Sequence, residues 1–554
     1  FMMGNLGPAY DSIEMGMAER MVTRSIAKAL NVSEEVVWDK FKNKGDMGLV
    51  VKELSENNTK ELEFENVFEN LKAIAAMSGE GSQERKVDSL AELISKMSSD
   101  EAKFAIRFVV SQLRLGIGEM SVIDGLSVLV SGDKSLHDKL EAVYNVSADI
   151  GELVRLVLES KDKDRNVWIT NLEGKLSQIK IKLGVPVVSA LCTRMDTFDE
   201  IITKLKKVYC EPKYDGTRVQ IHFQRNGSEW IVRTFTRNME ESSKMFPELK
   251  KIGEFLNADE VILDSEALGW NDESGKFMDF QMTITRKRKH GIDEHAGKVP
   301  LKFMVFDVLY ARGGAGENWG DIHDWPIEER KALLSKIVTN SKLMEMTPND
   351  LVDNAEKIKI DHQRYLSLGL EGVVVKQVGS PYIPGRKKGY WVKIKEDENA
   401  DGQLSDTIDC VVMGYYRGEG RRADLRLGSI LLGVKGKPES TGNGLFEPEE
   451  GYLTLCKLGT KMTDEQIVDF AKRLDAISTK QQPEDYYVSK NLVPDVWVNP
   501  VVVLEIAGDA ITESPNHTAG VSVRFPRLIR ERVDKSVDQV TTLEEVIIIG
   551  KRSI

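Results

Sequence analysis

This chain of 554 residues has little cysteine: Cys192, Cys210, Cys410 and Cys456 are its only four, and they lie far apart. No C-x-x-C pair occurs, which argues against a zinc finger and a disulfide framework and fits a reducing compartment. No run of eighteen apolar residues occurs either, so no segment reads as a membrane span. The sequence shows no internal repeat, no low-complexity tract and no secretory signal. Two glycine-containing stretches, 269–276 and 291–298, have one residue too many for a Walker phosphate loop and lack the following Ser or Thr. Net positive charge is missing as well. The formal charge of −12 counts against nucleic acid as a partner until local clustering of basic residues is considered. The opening Phe1-Met2-Met3 already lies in sequence of structured texture, which predicts a preceding segment that would hold any targeting signal.

What is present describes a soluble globular protein: 41% hydrophobic and 30% charged residues over a length that suits three or four domains. Three textures follow one another. Residues 1–183 read as helical, with apolar positions three and four apart, as in Ala102-Ile106-Val109-Val110-Leu113. Residues 184–396 alternate short strands with helices, a mixed α/β (α+β) pattern. Strands are predicted over 208–223, 230–236, 261–268, 301–309 and 372–377, and helices over 327–338 and 354–368. Residues 397–554 read as a small all-β barrel, with strands at 408–416, 429–434 and 501–506. A helix at 463–476 interrupts it, opened by the capping box Thr463-Asp464-Glu465-Gln466.

The most informative run is Glu211-Pro212-Lys213-Tyr214-Asp215-Gly216-Thr217-Arg218. It sets one lysine between an acid and an Asp-Gly turn, with an arginine five residues on. Alone, it is equally a surface strand entering a turn. A lysine at a strand end among other cations can also lose its proton and attack phosphorus. Three downstream segments add partners. Leu263-Asp264-Ser265-Glu266 embeds acids in an apolar strand, where an unpaired carboxylate is costly. Glu371-Gly372-Val373-Val374-Val375-Lys376 starts a strand on an acid and nearly ends it on a lysine. In Trp391-Val392-Lys393-Ile394-Lys395, Trp391, Lys393 and Lys395 share one strand face, a mixed surface suited to a phosphate-bearing ligand.

Taken in order, these segments resemble the nucleotidyltransferase motifs of ATP-dependent DNA ligases, nearest to the archaeal and eukaryotic replicative type. The resemblance includes Arg237 after Thr236, Phe306 in Val305-Phe306-Asp307, and the closing run Arg524-Phe525-Pro526-Arg527-Leu528-Ile529-Arg530-Glu531-Arg532-Val533-Asp534-Lys535. Phe280-Gln281-Met282-Thr283-Ile284-Thr285-Arg286-Lys287-Arg288-Lys289 is similar to the basic segment of replicative ligases. Leu113-Arg114-Leu115-Gly116-Ile117-Gly118-Glu119 and Gly79-Glu80-Gly81-Ser82 are similar to their helical DNA-binding domain.

The resemblance implies a multidomain protein: an all-α DNA-binding domain (1–183), an adenylyltransferase domain (184–396) and an all-β OB-fold domain (397–554). It implies nick sealing through a lysyl-AMP intermediate, in replication, repair and recombination, with ATP and Mg²⁺ as cofactors. Nicked double-stranded DNA is the implied partner, a sliding clamp a further one, and the expected protein is a monomer inside the cell, off the membrane. Lys213 is the implied nucleophile. Glu211 is implied to accept from the adenine amino group, and Phe306 to stack on the base. Arg218 and Arg237 suit ribose and the 5′-phosphate of the nick, since a guanidinium fork grips phosphate oxygens in two places. Glu266 and Glu371 are hard oxygen donors suited to Mg²⁺ and ribose. Lys376, Lys393 and Lys395 would surround the phosphates, with Trp391 beside them and Arg386 or Lys387 upstream. Arg527, Arg532 and Lys535 would assist pyrophosphate departure. DNA contacts are expected from Ser82, Lys86, Arg114, Gly116, Gly118, Arg286 and Arg288. The bland reading of Gly79–Ser82 is a glycine loop with a serine N-cap. Two departures stand out: Gly459-Thr460-Lys461-Met462 replaces the family's usual Gly-Thr-Gly-Phe, and a lysine, Lys387, stands four before Trp391 where arginine is frequent. The rivals are an mRNA capping guanylyltransferase, which shares the lysyl-nucleotide core but not the long helical region, and a passive DNA-binding protein, which needs no nucleophilic lysine.

Overall fold

The computed structural model describes residues 3–11, 13–55, 62–111, 113, 115, 117–195, 197–271, 274–278, 300–385, 389–395, 404, 406–418, 426–438, 449–459 and 463–552. The chain divides into two compact units, one of Phe1–Glu14 with Gly116–Glu396, the other of Met15–Leu115 with Asp397–Ile554. Among the described residues no helix is long and apolar enough to cross a membrane.

The N-terminal region is helical and contributes to both units. Helices α1 (Glu19–Leu30), α2 (Glu34–Lys44), α3 (Met47–Leu54), α4 (Phe64–Ala76), α5 (Ser82–Ser95) and α6 (Ser99–Val109) belong to the second. Helix α6 starts on a capping box, Ser98 with Glu101, and buries Ala102, Ile106 and Val109 at the spacing read from sequence. Helix α5 begins one residue earlier than expected. Its N-cap is Gly81, at φ 70°, and Ser82 is the first helical residue rather than the cap. Helices α7 (Glu119–Ser131), α8 (His137–Ser147), α9 (Ile150–Glu159) and α10 (Arg165–Leu176) belong to the first unit and pack around Ile123, Leu140, Leu153 and Leu172.

The rest of the first unit holds two sheets. One is five-stranded, in the order β1 (Thr193–Arg194), β12 (Trp391–Lys395), β11 (Gly372–Gln377), β2 (Val208–Pro212), β10 (Asp350–Val352). The other runs β4 (Glu229–Thr236), β3 (Thr217–Asn226), β5 (Glu260–Asn271), β7 (Leu301–Arg312), β8 (Gly320–Asp321), with β6 (Lys276–Phe277) on β5 and β9 (Met344–Met346) on β7. Most pairings are antiparallel, so the domain is α+β. Helices α11 (Phe198–Leu205) and α13 (Ala355–Ser367) back the first sheet, through Ile201, Ile358 and Tyr365 against Val208, Val373 and Val375. Helix α12 (Ile327–Ile337) backs the second, through Leu333, Leu334 and Ile337 against Val305 and Val308.

The single strand expected over 208–223 is two strands in different sheets. Pro212 has no N–H to continue the ladder. At Gly216 the chain presses on β5, where an added Cβ would stand 2.6 Å from the Ala267 carbonyl oxygen and 2.8 Å from Leu268 Cδ2. The chain therefore crosses from one sheet to the other over residues 213–216, and Lys213 sits at that crossing.

In the second unit, eight strands form one curved sheet. Its path is β16 (Ser478–Thr479), β18 (Val496–Val498), β13 (Ile408–Tyr416), β14 (Ser429–Gly436), β15 (Gly451–Gly459), β17 (Tyr486–Tyr487), with β19 (Val503–Ala507) joining β13 to β22 (Arg527–Glu531). Register shifts at Val412/Gly414 and Leu432/Gly433 bend it. Strands β20 (Ala510–Glu513) and β21 (Val521–Arg524) pair separately. Helix α14 (Asp464–Ala476) starts at the Thr463 capping box and fills the core with Ile467, Phe470 and Leu474, and α15 (Leu543–Arg552) ends the chain's described part.

Candidate active site

A cleft of about 1210 Å³ opens in the first unit, lined by both sheets and by residues of the segment 5–14. Its size suits a nucleotide. The structure brings Glu211, Lys213, Arg218, Arg237, Glu266, Phe306, Glu371, Lys376, Trp391 and Lys393 to its walls.

Lys213 is held by its backbone. Its N–H donates to the Gly372 carbonyl at 2.9 Å, and its carbonyl accepts from Glu371 N–H at 3.0 Å, extending the β2–β11 ladder past Pro212. The side chain leaves the sheet end and its Nζ donates to the Glu371 carboxylate, with about a fifth of each side chain exposed. The amine thus reaches the open cleft while its main chain is fixed.

The deep end is made of buried ion pairs. Glu211 gives one oxygen to Lys331 of α12 and the other to Lys376 at 2.7 Å, and all three side chains are no more than 8% exposed. The Lys376 ammonium stands 4.1 Å from the Trp391 ring centre and 4.7 Å from that of Phe306. Burial pulls its pKa down, and Glu211 opposes that shift. Arg218 grips Asp264 with two bonds of 3.0 and 2.6 Å and donates to the Ala190 carbonyl at 2.5 Å. Tyr382 donates to the same Asp264 at 2.7 Å. Arg330, fully buried, holds Asp307 at 2.8 and 3.1 Å and fixes α12 to β7. Each pair is the condition under which such charges tolerate the interior.

The rim is different. Glu266 is half-buried and forms no ion pair among the described residues. Burial pushes its pKa up to about 8, against the pull of Arg218 and Lys213. Arg237, just past β4, is exposed and likewise without an ion pair among the described residues. Lys393 projects from β12 into the cleft wall. Cys192 lies close enough for Arg218, Lys376, Lys213 and Lys393 to act on its thiol, although burial dominates and raises it.

Other expected residues lie elsewhere. Arg527 pairs with Asp509 at 2.7 Å. Arg532 and Lys535 converge on Asp409 at 3.0 and 2.6 Å, all within the second unit. Lys86, expected at DNA, is buried, and its Nζ donates to the Met15 carbonyl at 2.6 Å. Ser82 opens α5 and Gly118 caps α7 with extended backbone. Arg114, Gly116, Arg286, Arg288, Arg386 and Lys387 lie outside the described residues, as does the Lys395 side chain.

Sequence reasoning missed Lys331, Arg330, Tyr382, Cys192 and the segment 5–14. One signal was available. Ile327, Arg330, Lys331, Leu334 and Ile337 fall at helical spacing on one stripe, so the two cations sit on the apolar face of α12. For Asp264, the sequence showed an acid needing a partner in an apolar strand but not that Arg218 supplies it.

Three family descriptions match in order: "DNA ligase N terminus" over residues 1–127, "ATP dependent DNA ligase domain" over 189–395 and "ATP dependent DNA ligase C terminal region" over 424–535. A probable DNA ligase of Dictyoglomus turgidum is 35% identical, over 98% of this chain and 89% of its own length. DNA ligase 1 of Methanosarcina acetivorans is 33% identical over 98% and 91%, and a DNA ligase of Pyrobaculum islandicum 34% over 100% and 91%. Alike to these relatives along nearly its whole length, and with its lysine set at a sheet crossing on a cation-rich cleft, the chain belongs to the ATP-dependent DNA ligases.

Proposed function

We propose that this chain seals nicks in duplex DNA through three transfers of one adenylate, with Lys213 as the covalent carrier. The Lys213 amine attacks the α-phosphorus of ATP, a P–N bond forms, and pyrophosphate leaves with the bonding electron pair. The adenylate then passes to the 5′-phosphate at the nick, freeing the amine. The 3′-hydroxyl attacks that activated phosphorus, AMP departs, and the phosphodiester closes. The observation that carries this reading is the placement of Lys213: backbone pinned between sheets, amine at the cleft.

The surroundings support the assignments. The Glu371 carboxylate accepts a hydrogen bond from Lys213 Nζ and is placed to take the proton the amine gives up on attack. Glu211 presents carboxylate oxygens at the deep end, suited to the adenine amino group, with Phe306 beside it for stacking. Lys376 and Lys393 bring positive charge to the phosphates, where charge develops in the transfer. Arg237, exposed at the rim, suits the nick 5′-phosphate. Arg218 serves by holding Asp264 and the Phe306–Trp391 wall.

Glu266 and Glu371 fit Mg²⁺. They are hard oxygen donors on the cleft wall, and the burial that raises Glu266 is the setting an adjacent cation relieves. When bound, Mg²⁺ supplies charge neutralisation for the phosphates. The curved sheet of the second unit is read as an OB-fold, and the functional modules as 1–183, 184–396 and 397–554, each of which contains one of the family matches over 1–127, 189–395 and 424–535. Arg527, Arg532 and Lys535 are assigned to pyrophosphate departure, and the helical region to nicked duplex. The protein is proposed to act as a monomer inside the cell, with a sliding clamp as a further partner.

The test is a nick-sealing assay on a duplex with one nick, supplied separately with ATP, ADP and NAD⁺. Sealing with ATP and magnesium is expected. A duplex that is bound but never sealed with any of the three leaves only the passive DNA-binding reading.

A further inference from the structure

Lys331 stands out because nothing in the nucleotide chemistry asks for it, yet the fold buries it against Glu211 of the cleft wall. It lies on α12, its side chain is 8% exposed, and its ammonium bonds the Glu211 carboxylate from the side opposite Lys376. An exposed lysine on a helix normally keeps its charge in water. Placing this one inside has a desolvation cost that its pairing with Glu211 offsets.

Its geometry is not adaptable. The neighbouring Arg330 locks α12 to β7 through Asp307 and also donates to the Ser380 carbonyl at 3.1 Å. The Lys331 ammonium is further placed 5.4 Å from the centre of the Tyr209 ring, two residues before Glu211 on β2. Glu211 is therefore clamped from both sides. Lys376 holds one oxygen and Lys331 the other, which fixes the plane of the carboxylate. An ionised carboxylate has about four lone-pair sites. Two are consumed, and the remainder are aimed by the clamp.

We propose that Lys331 is a positioning residue for nucleobase selection, holding Glu211 so that its free lone pairs meet a donor on the edge of the base. This rests on the reading of Glu211 as the adenine acceptor. A fixed acceptor favours a base with an exocyclic amine at that edge and opposes one with a carbonyl there. A site built to hydrogen-bond a substrate N–H discriminates strongly against an analogue that lacks it. Without Lys331, the carboxylate turns onto Lys376, and the selection weakens although Glu211 remains.

The experiment compares the full-length wild type with K331M and K331Q. Formation of the protein–nucleotide adduct is followed by intact mass, with ATP and with purine riboside triphosphate, which has hydrogen in place of the 6-amino group. In K331M the KM for ATP rises by about tenfold or more while that for the analogue moves little, so the selectivity ratio falls by about tenfold. K331Q, which keeps a donor for Glu211, retains part of the ratio and serves alone should K331M not fold. A double-mutant cycle with E211Q shows non-additivity in the same ratio. A ratio unchanged within twofold in the folded variants, or equal loss for both nucleotides, overturns the proposal and leaves Lys331 a structural ion pair. Failure of the wild type to form any adduct overturns the nucleotidyltransferase reading itself, and this inference with it.

Discussion

The deep end and the rim of one cleft treat charge in opposite ways. At the deep end, Arg218–Asp264, Arg330–Asp307 and the Lys331–Glu211–Lys376 clamp satisfy each acid before any ligand arrives. At the rim, Glu266 and Arg237 have no ion pair among the described residues, and the Lys213–Glu371 contact keeps about a fifth of each side chain exposed. The difference teaches which charges belong to folding and which to the reaction. A charge paired in the interior is costly to strip and contributes rigidity. A charge left open at the rim is completed by phosphate or metal, and can change partners between chemical steps.

Substitutions can break that contrast. The largest stability effect is expected at the deep end: Asp307→Ala strands the fully buried Arg330 guanidinium and costs about 3–5 kcal/mol in chemical denaturation. A loss under about 1 kcal/mol would show that the deep pairs are not what holds the cleft.

Two titrations come next, with opposite signs. Glu266 holds its proton in the folded chain up to about 8, whereas the unfolded carboxyl releases it near the ordinary value of 4.5. Its contribution is therefore complete below that value and is lost as pH rises through about 8, and Glu266→Gln should flatten the alkaline decline in melting temperature. His222 is the reverse. Buried, it accepts from Gly184 N–H at 3.0 Å, and burial first, then Arg233, lowers its pKa to about 3. The unfolded ring takes a proton below about 6.5, so stability is lost as pH falls from there toward 3, and His222→Gln should reduce that acid loss. Parallel slopes in wild type and either variant would remove the corresponding group from the account.

The smallest effect on stability is expected at the rim. Arg237→Ala should stay within about 0.5 kcal/mol of wild type in denaturation. It should leave self-adenylylation intact and lower transfer of adenylate to the nick, measured in single-turnover sealing. An equal loss of both steps would move Arg237 from the 5′-phosphate to the nucleotide.

The sequence made the rim more legible than the deep end, for a physical reason. Lys213 and Glu371 sit at strand ends, and Lys393 lies within a short alternating strand, where local pattern reports position. The strand at 372–377 and the helix opened by Thr463 also fell where alternation and capping placed them. Lys331 and Arg330 were hidden because a cation on a helix reads as solvated. Only the packing of α12 against β7 shows that their side of the helix is inside. The break at 213–216 was read through although the apolar positions change parity across it, from Val208 and Cys210 in β2 to Val219, Ile221 and Phe223 in β3, and the close approach of Gly216 to Ala267 is a tertiary fact. The inward turn of Lys86 on α5, toward the Met15 carbonyl, was hidden in the same way.

The most direct measurement is the site of the covalent adenylate. Purified protein incubated with ATP and magnesium, digested and mapped by mass, should carry an acid-labile AMP phosphoramidate on Lys213, and Lys213→Ala should carry none. An adduct on another residue, or no adduct while nicks are still sealed, contradicts the account.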